Sequence, residues 1–255
     1  MGYIFIGDPE ENAAQAEAYV KRGYRELKLK VGREPDVDVA RVKLVRETVG
    51  PDIRIRVDAN MAWNQVTAVK IIRRMEPWNI QYVEQPVPFR DHAGMAWVRA
   101  RVETPVAADE SCTSISTALS LIRHRACDVF VVYVSEAGGL TKAREIVRLA
   151  DNEGIHCVLG TWAELGIGTT AGMHLIASSR NFPFANDTHY ELQDGDIITH
   201  PLQIIDGITQ LPEGPGLGVA IDPDRLKTFA DLHARETVFG DAKNPEFIPR
   251  VGRIL

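Results

Sequence analysis

Short apolar runs alternate along the chain with longer amphipathic stretches. The runs fall at residues 3–6, 27–31, 53–57, 80–83, 106–108, 129–134, 156–159 and 184–185. Each has the length of a strand and is either apolar throughout or alternating. Between them, apolar residues recur at helical spacing. Val39, Val42, Val45 and Val49 form one such face, and residues 13–19, 66–75, 93–102, 115–122, 141–150 and 169–178 have similar patterns. Strand–helix repetition predicts an α/β protein, a parallel sheet with helices packed around it. Eight repeats in a chain of 255 residues fit a closed TIM-type (β/α)8 barrel, which typically needs ~250 residues. An open doubly wound sheet would want a glycine-rich phosphate turn after an early strand, and Val31-Gly32-Arg33-Glu34 is not one. Helix boundaries are marked by Asp8-Pro9, where Asp caps and Pro fits the first turn, and by Gly23 and Gly50-Pro51 at helix ends. Residues 193–255 are rich in Gly, Pro and Asp, which predicts an irregular tail with one helix near residues 225–232.

Composition narrows the function. Asp and Glu outnumber Lys and Arg by 35 to 29, and no block is basic, which argues against nucleic acid as a partner. No apolar run is long enough to cross a membrane, and the first ten residues do not read as a signal peptide. Cys112, Cys127 and Cys157 are an odd number without a CxxC pair. That suits a reducing, cytoplasmic compartment and three buried thiols, and it disfavours a disulfide framework or a structural zinc site.

In a parallel barrel the chemistry lies at the C-terminal ends of the strands. The second strand ends Leu27-Lys28-Leu29-Lys30, so its two lysines share one face, while Leu27, Leu29 and Val31 take the face toward the helices. Lysines inside a barrel are costly unless anions compensate them. The next three strands supply the anions, ending in Asp58, Glu84 and Asp109 at spacings of 26 and 25 residues. One acidic strand end is a routine helix cap, but three in succession beside a Lys-x-Lys strand are not. Converging carboxylates without a Cys or His donor suit a hard divalent ion, with Mg²⁺ the usual choice.

These residues carry a resemblance. Lys28-Leu-Lys30, Val57-Asp58-Ala-Asn60, Val83-Glu84-Gln85-Pro86, Ala108-Asp109-Glu110-Ser111 and Gly138-Gly139-Leu140 together resemble the enolase superfamily. Within it the chain is most similar to the muconate-lactonizing branch of the mandelate racemase and muconate-lactonizing enzyme group. Gly160-Thr161 through Glu164, Gly166-Ile-Gly168-Thr169 and the tail Leu211-Pro-Glu-Gly-Pro-Gly-Leu-Gly218 extend the resemblance over nearly the whole chain. It implies the modified (β/α)7β barrel of that superfamily. It also implies Asp58, Glu84 and Asp109 as Mg²⁺ ligands, and Lys30 as the base that takes a proton α to a carboxylate. Lys28 becomes the neighbouring cation that steadies the enediolate. Asn60 and Glu110 flank the metal ligands, and Glu164 stands at the barrel mouth. Trp162 beside Glu164, and Asp187 after the eighth run, complete the candidate substrate contacts. Lysine's ordinary pKa of ~10.4 must fall for it to act as a base. Lys28, Arg56 and the metal push that way, and the carboxylates oppose it.

Two departures shape the expected reaction. The branch normally places a second lysine at the end of the sixth strand, and Tyr133 stands at that position here. Tyrosine donates a proton more readily than it accepts one. The expectation is therefore one-base chemistry, cycloisomerisation or β-elimination by an isomerase or lyase, with Tyr133 a proton donor or substrate contact. A lysine–lysine racemase or epimerase is the alternative, as is a metal-binding barrel without activity. An Asp–His pair after strands six and seven is not evident: His156 begins strand seven, at the wrong end, and His189 lies in a loop. Superfamily members also carry an N-terminal capping domain, and this chain begins almost at the first barrel strand. The expected organisation is a catalytic barrel over residues 1–192 and an extension over 193–255 that ordinarily contacts the cap. Apolar surface left without a cap would favour a homo-oligomer.

Overall fold

The computed structural model describes residues 1–235. Seven strands form one parallel sheet in strictly sequential order: β1 (Gly2–Ile4), β2 (Glu26–Lys30), β3 (Arg54–Asp58), β4 (Ile80–Glu84), β5 (Val106–Ala108), β6 (Val129–Val132) and β7 (His156–Leu159). Helices α1 (Pro9–Lys21), α2 (Pro35–Val49), α3 (Gln65–Met75), α4 (His92–Arg99), α5 (Ile115–His124), α6 (Val134–Ala137), α7 (Leu140–Asn152) and α8 (Gly166–Ala177) fall between and after them. Sequential parallel order with a helix in each crossover is the TIM-barrel arrangement, so the α/β barrel expectation holds.

The alternation along each strand sorts its side chains into two layers. Leu27, Leu29, Val57, Val83, Phe130 and Val132 point outward into one continuous apolar core shared with the helices. Tyr82, Ala107, Val129, Val131, Tyr133 and Val158 point inward and form a second cluster inside the sheet, closed by Phe184. Register places the inward-facing ends of neighbouring strands side by side. Lys30 pairs with Asp58, and Asp58 pairs with Glu84. The carboxylates that end successive strands therefore converge as a consequence of the ladder.

The eighth run departs from expectation. Residues 184–185 form no ladder. Pro183 removes one backbone donor from this segment. Residues 181–187 instead bridge from β7 toward β2 largely through side chains. The Cys157 amide donates to the Asn181 carbonyl at 2.9 Å, and the Asp187 amide donates to the Leu159 carbonyl at 3.0 Å. Asn181 Nδ2 donates to the Ile155 carbonyl at 2.9 Å, and Asn186 Oδ1 accepts from the Leu159 amide at 2.8 Å. On the other flank the Ala185 amide donates to Glu26 Oε2 at 3.0 Å. These bonds hold Asp187 at the barrel mouth without a regular strand.

Helix boundaries mostly follow the sequence signals. Gly23 and Gly50 adopt left-handed φ values of 89° and 77° after α1 and α2. Asp8 precedes α1, but its side chain makes no capping bond, so Pro9 at the first turn is the operative signal there. The predicted tail helix is present as α9 (Pro223–Arg235). The irregular segment before it is anchored by Asp196 Oδ1, which accepts from the Gly166 amide at 3.0 Å, and by the buried Ile198. Residues 236–255 of the expected extension lie outside the described residues.

Asn181 is buried and its side chain spans the gap between β7 and the bridging segment. Asn181→Ala leaves the Ile155 carbonyl without that donor and is expected to cost about 1–3 kcal/mol. A urea midpoint unchanged from wild type would show that the bridging bonds contribute nothing to closure.

Candidate active site

The site is assembled from the C-terminal ends of β2 to β6 and from the segment in the eighth position. Lys28 and Lys30 both reach inward from β2, two residues apart, and their surroundings differ. Lys28 is sealed: its Nζ donates to Glu84 Oε1 at 2.5 Å and Asp187 Oδ2 at 2.7 Å, and lies 3.3 Å from Asp58 Oδ2. Lys30 stands nearer the open mouth, donating to Asp58 Oδ2 and Asn60 Oδ1, both at 2.6 Å. Asn60 in turn donates to Glu110 Oε1 at 3.1 Å, so Asn60 and Glu110 brace the Lys30 ammonium from the loop side.

Asp58, Glu84 and Asp109 are buried, and one carboxylate oxygen from each lies within 4.8 Å of the others. Burial pushes the Glu84 carboxyl well up, aided by the charge of Asp58. Asp109 is pushed up in the same way, by burial and by Glu110. Glu110 rises to about 7, through burial and then Asp58. Asp58 moves the other way: burial opposes its charge, but the Lys30 and Lys28 ammonium groups hold it down. Three crowded acids, two of them pushed toward their neutral forms even beside two lysines, form a site that favours further positive charge. Glu84 Oε2 is buried with no protein partner. An all-oxygen donor set with an unsatisfied buried oxygen fits a hard divalent cation, so these three residues could hold one.

The competition foreseen at Lys30 has a direction here. Burial works to lower its pKa, but Asp58 and then Tyr3 outweigh it, and the ammonium is held above the ordinary lysine range. Lys28 is raised too, against its own burial, by Asp187, Glu84 and Asp58.

Tyr133 follows β6 directly and points into the barrel. Burial pushes its phenol well up, reinforced by the charge of Asp109. A Cβ on Gly160 would come within 2.3 Å of the Tyr133 ring, so this ring fits only because residue 160 is glycine. Glu164 is turned back into its own loop, accepting from the Trp162 amide at 2.9 Å, the Thr161 hydroxyl, and Ser135 Oγ at 3.2 Å. Trp162 is 40% exposed at the mouth, with its Nε1 donating to Glu136 Oε1 at 2.6 Å. His156 stands at the start of β7, away from these groups. His189 is buried edge-on to Tyr3, and burial lowers its pKa to about 4 despite Asp187.

Two organising residues escape a reading of charges alone. Gln85 is fully buried with a φ of 35°. Its Oε1 accepts from the Asp109 and Ser111 amides at 3.0 and 3.2 Å, and its Nε2 donates to Ser111 Oγ and the Val87 carbonyl at 2.8 and 2.9 Å. It thereby ties the end of β4 to the end of β5. The positive φ beside Glu84 is a strained conformation of the kind found at functional sites. Tyr3 lays its ring 5.4 Å from Lys30 Nζ and 5.8 Å from Lys28 Nζ, a shared cation–π wall. Its signal was the inward parity of residue 3 on the first strand.

The chain is similar to known proteins over most of its length. The family described as "Enolase C-terminal domain-like" matches residues 11–225. The hydrophobic dipeptide epimerase of Enterococcus faecalis is 37% identical over 217 residues, covering 84% of this chain and 61% of that protein. The chloromuconate cycloisomerase of Pseudomonas putida is 34% identical over 226 residues, covering 88% and 61%. The crystal structure of a dipeptide epimerase from Cytophaga hutchinsonii, complexed with Mg and the dipeptide D-Ala-L-Val, superposes with a TM-score of 0.85 at 32% identity, covering 89% of this chain and 62% of that one. The chain thus spans about three-fifths of the length of the relatives it matches. Fold, strand-end carboxylates and extent of match agree: the chain belongs to the enolase C-terminal domain-like family, in the mandelate racemase and muconate-lactonizing group of the enolase superfamily.

Proposed function

We propose that this chain is the catalytic barrel of a Mg²⁺-dependent isomerase that removes the α-proton of a small carboxylate substrate, with Lys30 as the base. The observation that carries this reading is the pairing of a sealed lysine and an accessible lysine with a three-strand row of carboxylates. A divalent cation on Asp58, Glu84 and Asp109 would supply positive charge where the substrate carboxylate turns into an enediolate, and would compete with Lys30 for Asp58.

The chain's own residues divide the remaining work. Lys28 is a permanent positive charge, locked by three carboxylates and unable to swing away. Fixed charge in a buried site needs no reorganisation as the substrate oxygen gains negative charge. Lys30 is the group with access to the mouth, and Asn60 and Asp58 fix where its Nζ points. Asp187 and Glu110 border the substrate space, the first beside Lys28 and the second beside Asn60.

Tyr133 directs the outcome. β6 lies four strand positions from β2 in the sequential sheet, so Tyr133 faces Lys30 across the barrel. Inversion at carbon, as in the epimerase relatives, asks for a group on each face that both gives and takes a proton. Tyrosine donates a proton more readily than it accepts one. The reading favoured is therefore one-base chemistry, with cycloisomerisation, the reaction of the P. putida relative, ahead of β-elimination. Tyr133 then donates a proton or a hydrogen bond and does not act as the second base.

Two measurements test this. Saturating Mg²⁺ is expected to raise the thermal midpoint, by an amount equivalent to about 2.7 kcal/mol at a hundredfold excess over Kd. Asp109→Asn should lose most of that shift, and an undiminished shift in the variant would remove Asp109 from the ligand set. Incubation of the protein with candidate carboxylic acids in D2O and Mg²⁺ should place deuterium on one face of the α-carbon without inversion. Lys30→Met should slow that exchange by about 10²–10⁴-fold. Exchange at the wild-type rate in the variant would overturn the assignment of the base.

A further inference from the structure

The eighth position of the barrel, which has no strand ladder, is covered by a strap of chain, residues 202–217. The strap is tied at both ends. The Leu202 amide donates to the Tyr190 hydroxyl at 3.0 Å, and His174 Nε2 donates to the Leu217 carbonyl at 3.1 Å. Between these ties the chain reverses in a two-residue turn from Ile205 to Ile208, with Asp206 and Gly207 both left-handed at φ 51° and 71°. The tip of the turn is seated on Gly23, where a Cβ would come within 2.7 Å of the Asp206 backbone. A cavity of about 370 Å³ remains beneath the strap. Leu159, Met173 and Ile176 line it from β7 and α8, and Leu202, Ile204 and Leu211 line it from the strap. Its size and apolar walls are those of a small-molecule site.

Most polar groups in this lining are engaged with the protein. Asn186 binds the Leu159 amide and the Phe184 carbonyl, and Thr188 Oγ1 accepts from the Tyr190 amide. The Tyr190 hydroxyl donates to Asp196, and the Thr169 hydroxyl donates to the Glu164 carbonyl at 2.9 Å. Asp187 is the exception. It is 5% exposed, its Oδ2 accepts from Lys28, and its Oδ1 has no hydrogen-bond partner. Among the described residues, this is the one buried side-chain oxygen of the lining left so. Burial opposes the Asp187 charge, but Lys28 and then His189 hold its carboxyl below the ordinary range, so Oδ1 is an acceptor. Its charge is already met by cations: Lys28 at 2.7 Å, and the Met1 amino group, which lines the same cavity and donates to the Asn186 carbonyl at 3.2 Å. A further cation would find no unpaired charge there, and an anion would face a carboxylate. Either would also give up its water to an apolar enclosure. An uncharged aliphatic molecule with one donor meets both the walls and the lone acceptor.

We propose that the cavity beneath the strap is an accessory binding site for an uncharged aliphatic molecule bearing one hydrogen-bond donor, a hydroxyl or an amide, with that donor on Asp187 Oδ1. The site lies apart from the row of carboxylates and does not depend on the reaction proposed for it. Two of its lining residues reach the mouth, Asp187 through Lys28 and Thr169 through the Glu164 carbonyl.

The test titrates the full chain by calorimetry with n-hexanol, n-hexanoate, n-hexylammonium and n-hexyl fluoride, four probes with the same chain and different heads. One saturable site is expected. It should hold n-hexanol about tenfold more tightly than either charged probe, and about fivefold more tightly than the fluoride, which has no donor. Met173→Trp fills the cavity from α8 and Ile204→Trp fills it from the strap, and each should weaken n-hexanol binding about tenfold or more. A cooperative thermal transition shows that a variant is folded. No saturable binding of n-hexanol by the wild type, or equal affinity for a charged probe or for the fluoride, would overturn the proposal without recourse to a variant. Undiminished binding by either folded variant would place n-hexanol elsewhere and also overturn it. Occupancy that falls as protein concentration rises would identify a second copy of the chain as the occupant, again against the proposal.

Discussion

The structure depends on the mutual neutralisation of buried charge between one lysine-bearing strand and its neighbours. Lys28 and Asp58 are almost completely buried, and either alone would destabilise the interior by several kcal/mol. Together with Glu84 and Asp187 they form a set in which no member can be removed without stranding another. The ladder makes this possible, because register alone sets Lys30 opposite Asp58 and Asp58 opposite Glu84. The balance is incomplete by design of the donor set: two of the three metal-type carboxyls are pushed toward their neutral forms by burial and by one another. A barrel that needed only stability would fill these positions with apolar side chains.

Around this charge cluster the protein places neutral groups that fix position. Gln85 joins two strand ends with four hydrogen bonds to protein groups and holds the Asp109 backbone in place. Asn60 connects Lys30 to Glu110. The Tyr3 ring covers both ammonium groups from the first strand, and Gly160 leaves the room that Tyr133 occupies. Two-sided organisation follows, with two lysines on one side of the barrel and a phenol on the other. The mouth is asymmetric too, since Lys28 and Lys30 come from β2 while Trp162, Glu136 and Glu164 stand beyond β6 and β7.

Much of this was legible in the sequence, for identifiable reasons. Strand parity is strict, so Lys28 and Lys30 had to share a face, and the spacing of Asp58, Glu84 and Asp109 put one carboxylate on each of three adjacent strand ends. Elements whose signal is not periodic were harder to read. The segment at residues 184–185 looked like an eighth strand because Phe184 is apolar, yet its neighbours are joined by two flanking backbone bonds and by the Asn181, Asn186 and Glu26 side chains, with no ladder. Gln85 gave no sign of its role, because a polar residue next to a catalytic-type acid reads the same whether it faces substrate or backbone. Glu164 was expected at the mouth and is there, but its oxygens are committed to its own loop. Glu136 was missed because its relation to Trp162 joins two loops 26 residues apart. Whether Lys30 is raised or lowered depended on distances, and the 2.6 Å approach to Asp58 settles the direction for the cation-free site.

The central claim is that Asp58, Glu84 and Asp109 form one divalent-cation site facing Lys30. Anomalous diffraction from crystals grown with Mn²⁺ tests it most directly, since Mn²⁺ takes the same oxygen donors and scatters anomalously. The account predicts one strong peak in contact with an oxygen of each of the three carboxylates, on the side of the barrel mouth. A peak elsewhere, or ammonium groups still occupying those oxygens with no peak at saturating Mn²⁺, would contradict it.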